Sequence, residues 1–188
     1  MEIQRVHYLD ADTIEQAAEV FNANGKRFCG DQQNLWQVAQ DYVLLVARNE
    51  SEIHGAIVCG WLTHREADTE YNPYLLRPLD DLYPDWRVGQ LMDMAVLSRY
   101  RHFGVGTELA VIAVELLINN RARRIVAASR FRSAEQDSSL GILARLGFQI
   151  LTEVPKYYTY TKDFRCPDCG DGGLCACSAI LMLREVTL

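Results

Sequence analysis

The sequence has no surplus of positive charge. Its 188 residues carry a formal net charge of −6, which leaves nothing to neutralise a phosphate backbone and disfavours general binding to nucleic acid or to an anionic membrane surface. A local group of arginines can still hold one small polyanion. Long apolar runs are missing too, since no stretch approaches the roughly 20 uninterrupted apolar residues of a spanning helix. The opening Met1-Glu2-Ile3-Gln4-Arg5 carries no signal-peptide pattern. The expectation is a cytoplasmic protein with no membrane partner. Repeats, low-complexity tracts and linkers are also lacking, so a single domain over residues 1–188 is expected, and 49% hydrophobic residues suffice to fill its core.

Proline is scarce and unevenly placed. Of five prolines, Pro73, Pro78 and Pro84 fall between Thr63 and Gly89, among Asp, Glu, Tyr and Arg, which predicts a long loop. Regular patterns lie on either side. Glu2 to Tyr8 alternates like a strand, and Ala11 to Phe21 sets Ile14, Ala17, Ala18 and Phe21 at helical spacing behind a cap at Asp10 or Asp12. A second helix is expected from Gln32 to Gln40. Tyr42 to Arg48 and Ile53 to Leu62 then read as a hairpin about the polar turn Asn49-Glu50-Ser51-Glu52. Gln90 to Leu97 is an apolar strand containing Asp93. It runs through Ser98-Arg99-Tyr100 and Arg101 to Thr107 into a helix ending near Asn119. Arg124 to Ala128 is a short buried strand, and Ala134 to Leu146 a helix stopped by Gly147. Strands follow at Phe148 to Val154, Tyr157 to Lys162 and Ser178 to Val186.

Six cysteines are present, and four of them, Cys166, Cys169, Cys175 and Cys177, crowd into twelve residues, whereas Cys29 and Cys59 stand alone. Cys166-Pro167-Asp168-Cys169-Gly170 has the form of a zinc knuckle, with Cys175 and Cys177 as the other two thiolates, and the spacing C-x2-C-x5-C-x-C points to structural zinc. Reduced cysteines, a disulfide and an iron–sulfur centre are the alternatives. A closed structural site would stiffen the chain before the last strand, and it could also drive a metal-dependent homodimer.

The chemistry is concentrated where the Gln90–Leu97 strand turns into a helix. Closely spaced glycines before a helix gather unpaired N–H groups and the positive end of the helix dipole, which together attract an anion. Gly104 and Gly106 let a phosphate approach the backbone, Thr107 adds a hydroxyl, and Arg101 adds a positive charge. The stretch lacks the Lys-Ser/Thr ending of a P-loop and the first glycine of the dinucleotide fingerprint. A plain strand-to-helix turn is the bland alternative.

Arg101-His102-Phe103-Gly104-Val105-Gly106 resembles the Arg/Gln-x-x-Gly-x-Gly/Ala signature of the GNAT acyltransferase superfamily. Met92-Asp93-Met94-Ala95-Val96-Leu97 looks like that family's fourth strand, and Leu143-Ala144-Arg145-Leu146-Gly147-Phe148 like the end of its fourth helix. The order of elements over residues 1–162 agrees as well. The resemblance implies an α/β fold with a mixed, mostly antiparallel central sheet flanked by helices, here with a Cys-rich loop before the last strand. It implies transfer of an acyl group, taken as acetyl, from acetyl-CoA to an amine acceptor. The backbone of His102, Phe103, Gly104, Val105, Gly106 and Thr107 would hold the CoA pyrophosphate, with Arg101 beside it. The edge formed by Met94, Ala95, Val96 and Leu97 would pair with the pantetheine arm.

Other assignments are less direct. Many members of the family carry a tyrosine acid where this chain has Leu143, which cannot donate a proton. Gln136 matches an asparagine near the start of that helix and is the candidate CoA contact there. Asp93, a carboxylate in an apolar strand, is the candidate base. One of Tyr157, Tyr158 and Tyr160 could reach the cleft, and Arg121, Arg123, Arg124, Arg130 and Arg132 include candidate partners for the CoA 3′-phosphate. The acidic segment Glu66 to Trp86 is the expected acceptor region. A CoA-binding module without catalysis is the alternative function.

Overall fold

Aspartates set where the first two helices begin. Asp10 Oδ1 accepts from Thr13 N at 3.1 Å ahead of α1 (Ala11–Asn22), and Asp31 Oδ1 accepts from Asn34 N at 2.9 Å ahead of α2 (Gln32–Asp41). Each satisfies an N–H that the first helical turn leaves unpaired. The computed structural model describes residues 1–24, 30–62, 87–131, 138–157 and 177–186.

The remaining elements are β1 (Glu2–Arg5), β2 (Val43–Arg48), β3 (Ile53–Leu62), β4 (Arg87–Val96), a 3-10 turn (Ser98–Tyr100), α3 (Val105–Asn119), β5 (Ala122–Phe131), α4 (Ser138–Arg145), β6 (Gln149–Val154) and β7 (Ser178–Glu185). The strands form one sheet in the order β1-β2-β3-β4-β5-β7-β6. Only β4 and β5 pair in parallel, and the other neighbours are antiparallel. This is the expected mixed, mostly antiparallel α/β architecture.

The helices cover both faces. α1 and α2 close one face with Ile14, Phe21, Leu35 and Val38 against Leu44, Val46, Ala56 and Val58. α3 and α4 close the other with Leu109, Ala113, Leu117 and Leu143 against Leu45, Ile57, Leu91 and Ile125. Strands β2 and β3 are buried almost throughout, which explains why they read as continuous apolar runs.

Several boundaries differ from expectation for reasons of pairing. β4 begins at Arg87 rather than Gln90, because Val88 and Gly89 ladder with Leu62 and Trp61 on one side and Arg124 and Ile125 on the other. β5 runs to Phe131 rather than Ala128, because its second half pairs with β7. β4 ends at Val96, so Leu97 lies beyond the strand. Tyr157 lies in a turn after β6 rather than in a strand.

One feature of the sheet positions the site. The β4–β5 ladder stops at Leu91↔Ala127. Just beyond, the β3–β4 register shifts between Val58↔Asp93 and Cys59↔Leu91, leaving Met92 as an extra residue. Such a bulge bends its strand. From there β4 continues to Val96 paired with β3, while β5 continues to Phe131 paired with β7. The sheet therefore opens into a wedge between β4 and β5.

Candidate active site

The N-terminus of α3 lies at the head of this wedge. Gly104 is its cap residue, with φ +86°, and no side chain among the described residues caps the helix. His102 is also left-handed, at φ 68°, a conformation that costs a non-glycine residue energy and persists where the surroundings hold it. Among the described residues, no acceptor meets the backbone N–H of His102, Phe103, Gly104, Val105, Gly106 or Thr107; the first cap bond runs from Glu108 N to Gly104 O. The loop is exposed at Arg101, His102, Phe103 and Gly104, and Thr107 is half-buried. Free donors at a helix N-terminus attract an anion.

A side chain at either glycine would obstruct it differently. At Gly104 there is open space, so the positive φ alone demands glycine. At Gly106 a Cβ would stand 3.4 Å from Ile142 Cδ1, 3.5 Å from Val96 Cγ2 and 3.7 Å from Met94 Cε. The first turn of α3, α4 and the free part of β4 thus converge around Gly106.

The open edge of β4 has a definite phase. Leu97 N donates to His54 O at 2.9 Å, and Val96, Ala95 and Met94 then stand opposite Gly55, Ala56 and Ile57. Antiparallel pairs alternate between bonded and non-bonded, so Leu97 and Ala95 turn their polar groups to β3 and Val96 and Met94 turn theirs to the wedge. Of the four residues expected at this edge, two face it with their backbone. The Val96 carbonyl accepts from Arg101 Nε at 3.3 Å, and Arg101 Nη2 donates to Asn24 Oδ1 at 2.6 Å. Arg101 therefore ties the wedge to the end of α1.

Asp93 is half-buried and paired with Val58, whose side chain belongs to the core under α1 and α2. Cross-strand partners share a face, so Asp93 lies on the α1–α2 side, opposite α3. Leu143 is 6% exposed and packs in the α3–α4 core.

A cluster that the sequence reading missed braces the turn ahead of the loop. Glu52, at the end of the β2–β3 connection, accepts from the Tyr100 hydroxyl and from the Arg99 guanidinium. Arg99 also lies over the Tyr100 ring, 5.2 Å from its centroid. On the other side Tyr100 stacks on His54, with ring centroids 3.9 Å apart. The Tyr100 hydrogen bond, and then Arg99, hold the Glu52 carboxyl below its usual range. Burial pushes the His54 imidazole below its usual value, against the opposing pull of Glu52. His54 is buried, and its Nε2 has no partner among the described residues. The only sequence signal was a run of polar and aromatic residues on either side of β3 and β4, with nothing to join them.

Other expected residues are placed less favourably. Arg124 pairs with Glu185 across β5 and β7, at 3.0 Å, and so serves the sheet. Arg121 is an exposed turn residue with φ 70°. Gln136, Arg132, Tyr158, Tyr160 and the segment Glu66 to Trp86 lie outside the described residues, as do Cys166, Cys169 and Cys175. Cys177, the last of the cluster, is half-buried one residue before β7. Cys59 is fully buried in β3, and burial pushes its thiol up to about 12. No helix among the described residues is long and apolar enough to cross a membrane.

Comparison with known proteins bears on the fold and the family. The sequence has no significant match among curated proteins. Solved structures share the fold at low identity. A ribosomal-protein-alanine N-acetyltransferase from Brucella melitensis superposes with a TM-score of 0.63 at 16% identity, over 99% of this chain and 100% of that one. YncA from Salmonella typhimurium, a putative acetyltransferase solved with acetyl-CoA, gives 0.64 at 14% identity, over 100% and 95%. Naa20 from Chaetomium thermophilum, solved with a bisubstrate analogue, gives 0.66 at 13% identity, over 98% and 86%. The profile of the acetyltransferase (GNAT) family matches residues 11–148, from the start of α1 to the residue before β6, so it spans the wedge and its loop. The chain belongs to the acetyltransferase (GNAT) family.

Proposed function

We propose that this protein transfers the acetyl group of acetyl-CoA directly to an amine of a small molecule or peptide. The observation that carries this reading is the run of N–H groups from His102 to Thr107 that have no acceptor among the described residues, set beside the open edge of β4. The run binds the pyrophosphate, with the helix dipole adding to the attraction. The backbone of Met94 and Val96 pairs with the pantetheine arm, which displaces Arg101 from the Val96 carbonyl toward the phosphates. Held between β4 and β5, the thioester carbonyl faces an amine arriving from the α1–α2 side, where Asp93 takes the proton directly or through water. Nitrogen forms its bond to the carbonyl carbon as the C–S electron pair departs on sulfur.

The buried Leu143 favours one second reading, a CoA-binding module without turnover. Acetyl-CoA consumption and thiol release separate the two, on protein offered polyamines, amino acids, aminoglycosides and peptides, with Gly104→Glu as control. Turnover abolished by the substitution supports the transferase. Binding of CoA without any modified acceptor supports the module.

Zinc held by Cys166, Cys169, Cys175 and Cys177 rests on spacing alone. Metal analysis of the purified protein tests it, and chelation followed by sedimentation tests whether the loop joins two copies.

A further inference from the structure

Arg101 is the cation that leads into the phosphate loop, yet its guanidinium is engaged elsewhere. Nε donates to the Val96 carbonyl at 3.3 Å and Nη2 to Asn24 Oδ1 at 2.6 Å, so one planar group bridges the open edge of β4 and the end of α1. Both ends of the bridge are anchored. Asn24 Nδ2 donates to Val20 O at 2.8 Å and Asn24 N to Phe21 O at 3.0 Å, which leaves Oδ1 as the acceptor for Arg101. Val20 and Phe21 are buried in the core, so Asn24 moves only with α1. At the other end, Arg101 N donates to Ser98 O at 3.3 Å, and the turn it closes is held through Tyr100 by Glu52.

The bridge occupies a functional position. Val96 and Met94 are the residues whose polar groups turn to the wedge, and Val96 is the one nearer the loop in the chain. An arm that runs from phosphates at the loop into the wedge meets the Val96 carbonyl first. A guanidinium that reaches both Val96 and Asn24 lies across that entrance.

We propose that Arg101 and Asn24 form a latch over the β4 edge, which the pantetheine arm opens, so that the strength of the latch sets the affinity for acetyl-CoA. This rests on the acetyltransferase reading above. The arm donates to Val96 in place of Arg101, and the guanidinium leaves Asn24 for the phosphates. A contact that breaks on binding subtracts its own strength from the affinity. Arg101 therefore acts in two opposite senses, competing with the arm for Val96 and, once released, attracting the phosphates. Asn24 is uncharged and acts through Arg101 alone, as a positioning residue.

The two senses separate by ligand, because acetyl-CoA carries arm and phosphates whereas acetylpantetheine carries the arm without them. Full-length wild type, Asn24→Ala, Arg101→Ala and the double variant are titrated with each, acetyl-CoA by calorimetry and acetylpantetheine by NMR chemical shift. Asn24→Ala should bind both ligands about threefold more tightly, since the latch loses a charge-assisted hydrogen bond. Arg101→Ala should bind acetylpantetheine about threefold more tightly and acetyl-CoA about tenfold more weakly, because latch and phosphate contact are lost together. Adding Asn24→Ala to Arg101→Ala should change nothing further. A residue that only stabilised the end of α1 would not tighten binding when removed. If Asn24→Ala does not fold, acetylpantetheine on Arg101→Ala decides; if acetylpantetheine binds too weakly to titrate, acetyl-CoA on Asn24→Ala decides. Unchanged or weaker binding in these pairs would overturn the latch and leave the acetyltransferase reading intact. Failure of the wild type to bind acetyl-CoA would overturn both.

Discussion

Helices α1 and α2 begin behind aspartates, and α3 begins behind a glycine. All three face the same physical demand, since the first turn of any helix leaves N–H groups without partners. At α1 and α2 a carboxylate from Asp10 or Asp31 meets it within the chain. At α3 the cap is Gly104 in a left-handed conformation, and among the described residues no side chain answers. Under the proposed function, the helix start left without a carboxylate is the one that takes its charge from outside. The starts of α1 and α2 thus each have one N–H satisfied by a side chain, and among the described residues that of α3 has none.

The most direct way to break this contrast is to supply α3 with its own charge. Gly104→Glu places a carboxylate at the open terminus and a side chain at φ +86°. We expect at least about a hundredfold weaker acetyl-CoA binding, from repulsion of the pyrophosphate and strain in the loop. Calorimetric titration reads the affinity, and thermal melting reads the fold. A variant that binds acetyl-CoA as tightly as wild type would show that the phosphates do not sit at α3.

A second, smaller effect is expected from the brace ahead of the loop. Glu52→Ala removes the acceptor that joins Arg99 and Tyr100 to the β2–β3 connection, which loosens the path into His102 and Gly104. The KM for acetyl-CoA should rise about tenfold with little change in kcat, because positioning of the cofactor is lost and the reacting groups are untouched. The same cluster predicts an acid limb in stability. His54 titrates lower in the folded protein than its ordinary value near 6.5, so below that pH the unfolded chain binds more protons and stability falls as pH drops. Glu52, held low by Tyr100 and Arg99, adds a further loss as pH falls below about 4.5, where the unfolded carboxyl protonates first. Melting temperature followed from pH 8 to pH 4 should therefore be flat above about 7 and decline below it, and His54→Gln should flatten the upper part of that decline.

The contrast also explains what could be read in advance. The loop from Arg101 to Thr107 is contiguous, so its glycines, its arginine and the helix that follows were legible as a unit, and the strand and helix order followed from local periodicity. The brace joins Glu52 to Arg99 and Tyr100 across 47 and 48 positions, and only the β3–β4 register brings them together. The extra residue at Met92 leaves no trace in composition, yet it sets which of Met94, Ala95, Val96 and Leu97 turn to the wedge. Side chains that act through the sheet pairing were hidden for that reason, whereas those that act within one turn of the chain were not.

The mildest change sharpens the contrast from the other side. Asp10→Ala and Asp31→Ala each remove a cap acceptor and return one N–H to the unpaired state. Each should cost about 1 kcal/mol of folding stability, read from denaturant unfolding. Asp10 should cost more than Asp31, because its bond to Thr13 is partly buried while that of Asp31 to Asn34 is exposed, and water replaces a lost partner less well as burial increases. Acetyl-CoA affinity should be unchanged in Asp31→Ala. Saturating acetyl-CoA should raise the stability of both variants and of wild type by the same increment, since ligand bound at α3 acts on the folded state through its own affinity. A smaller increment in the cap variants would mean that the starts of α1 and α2 belong to the same binding unit as α3, and the division between closed and open helix ends would fail.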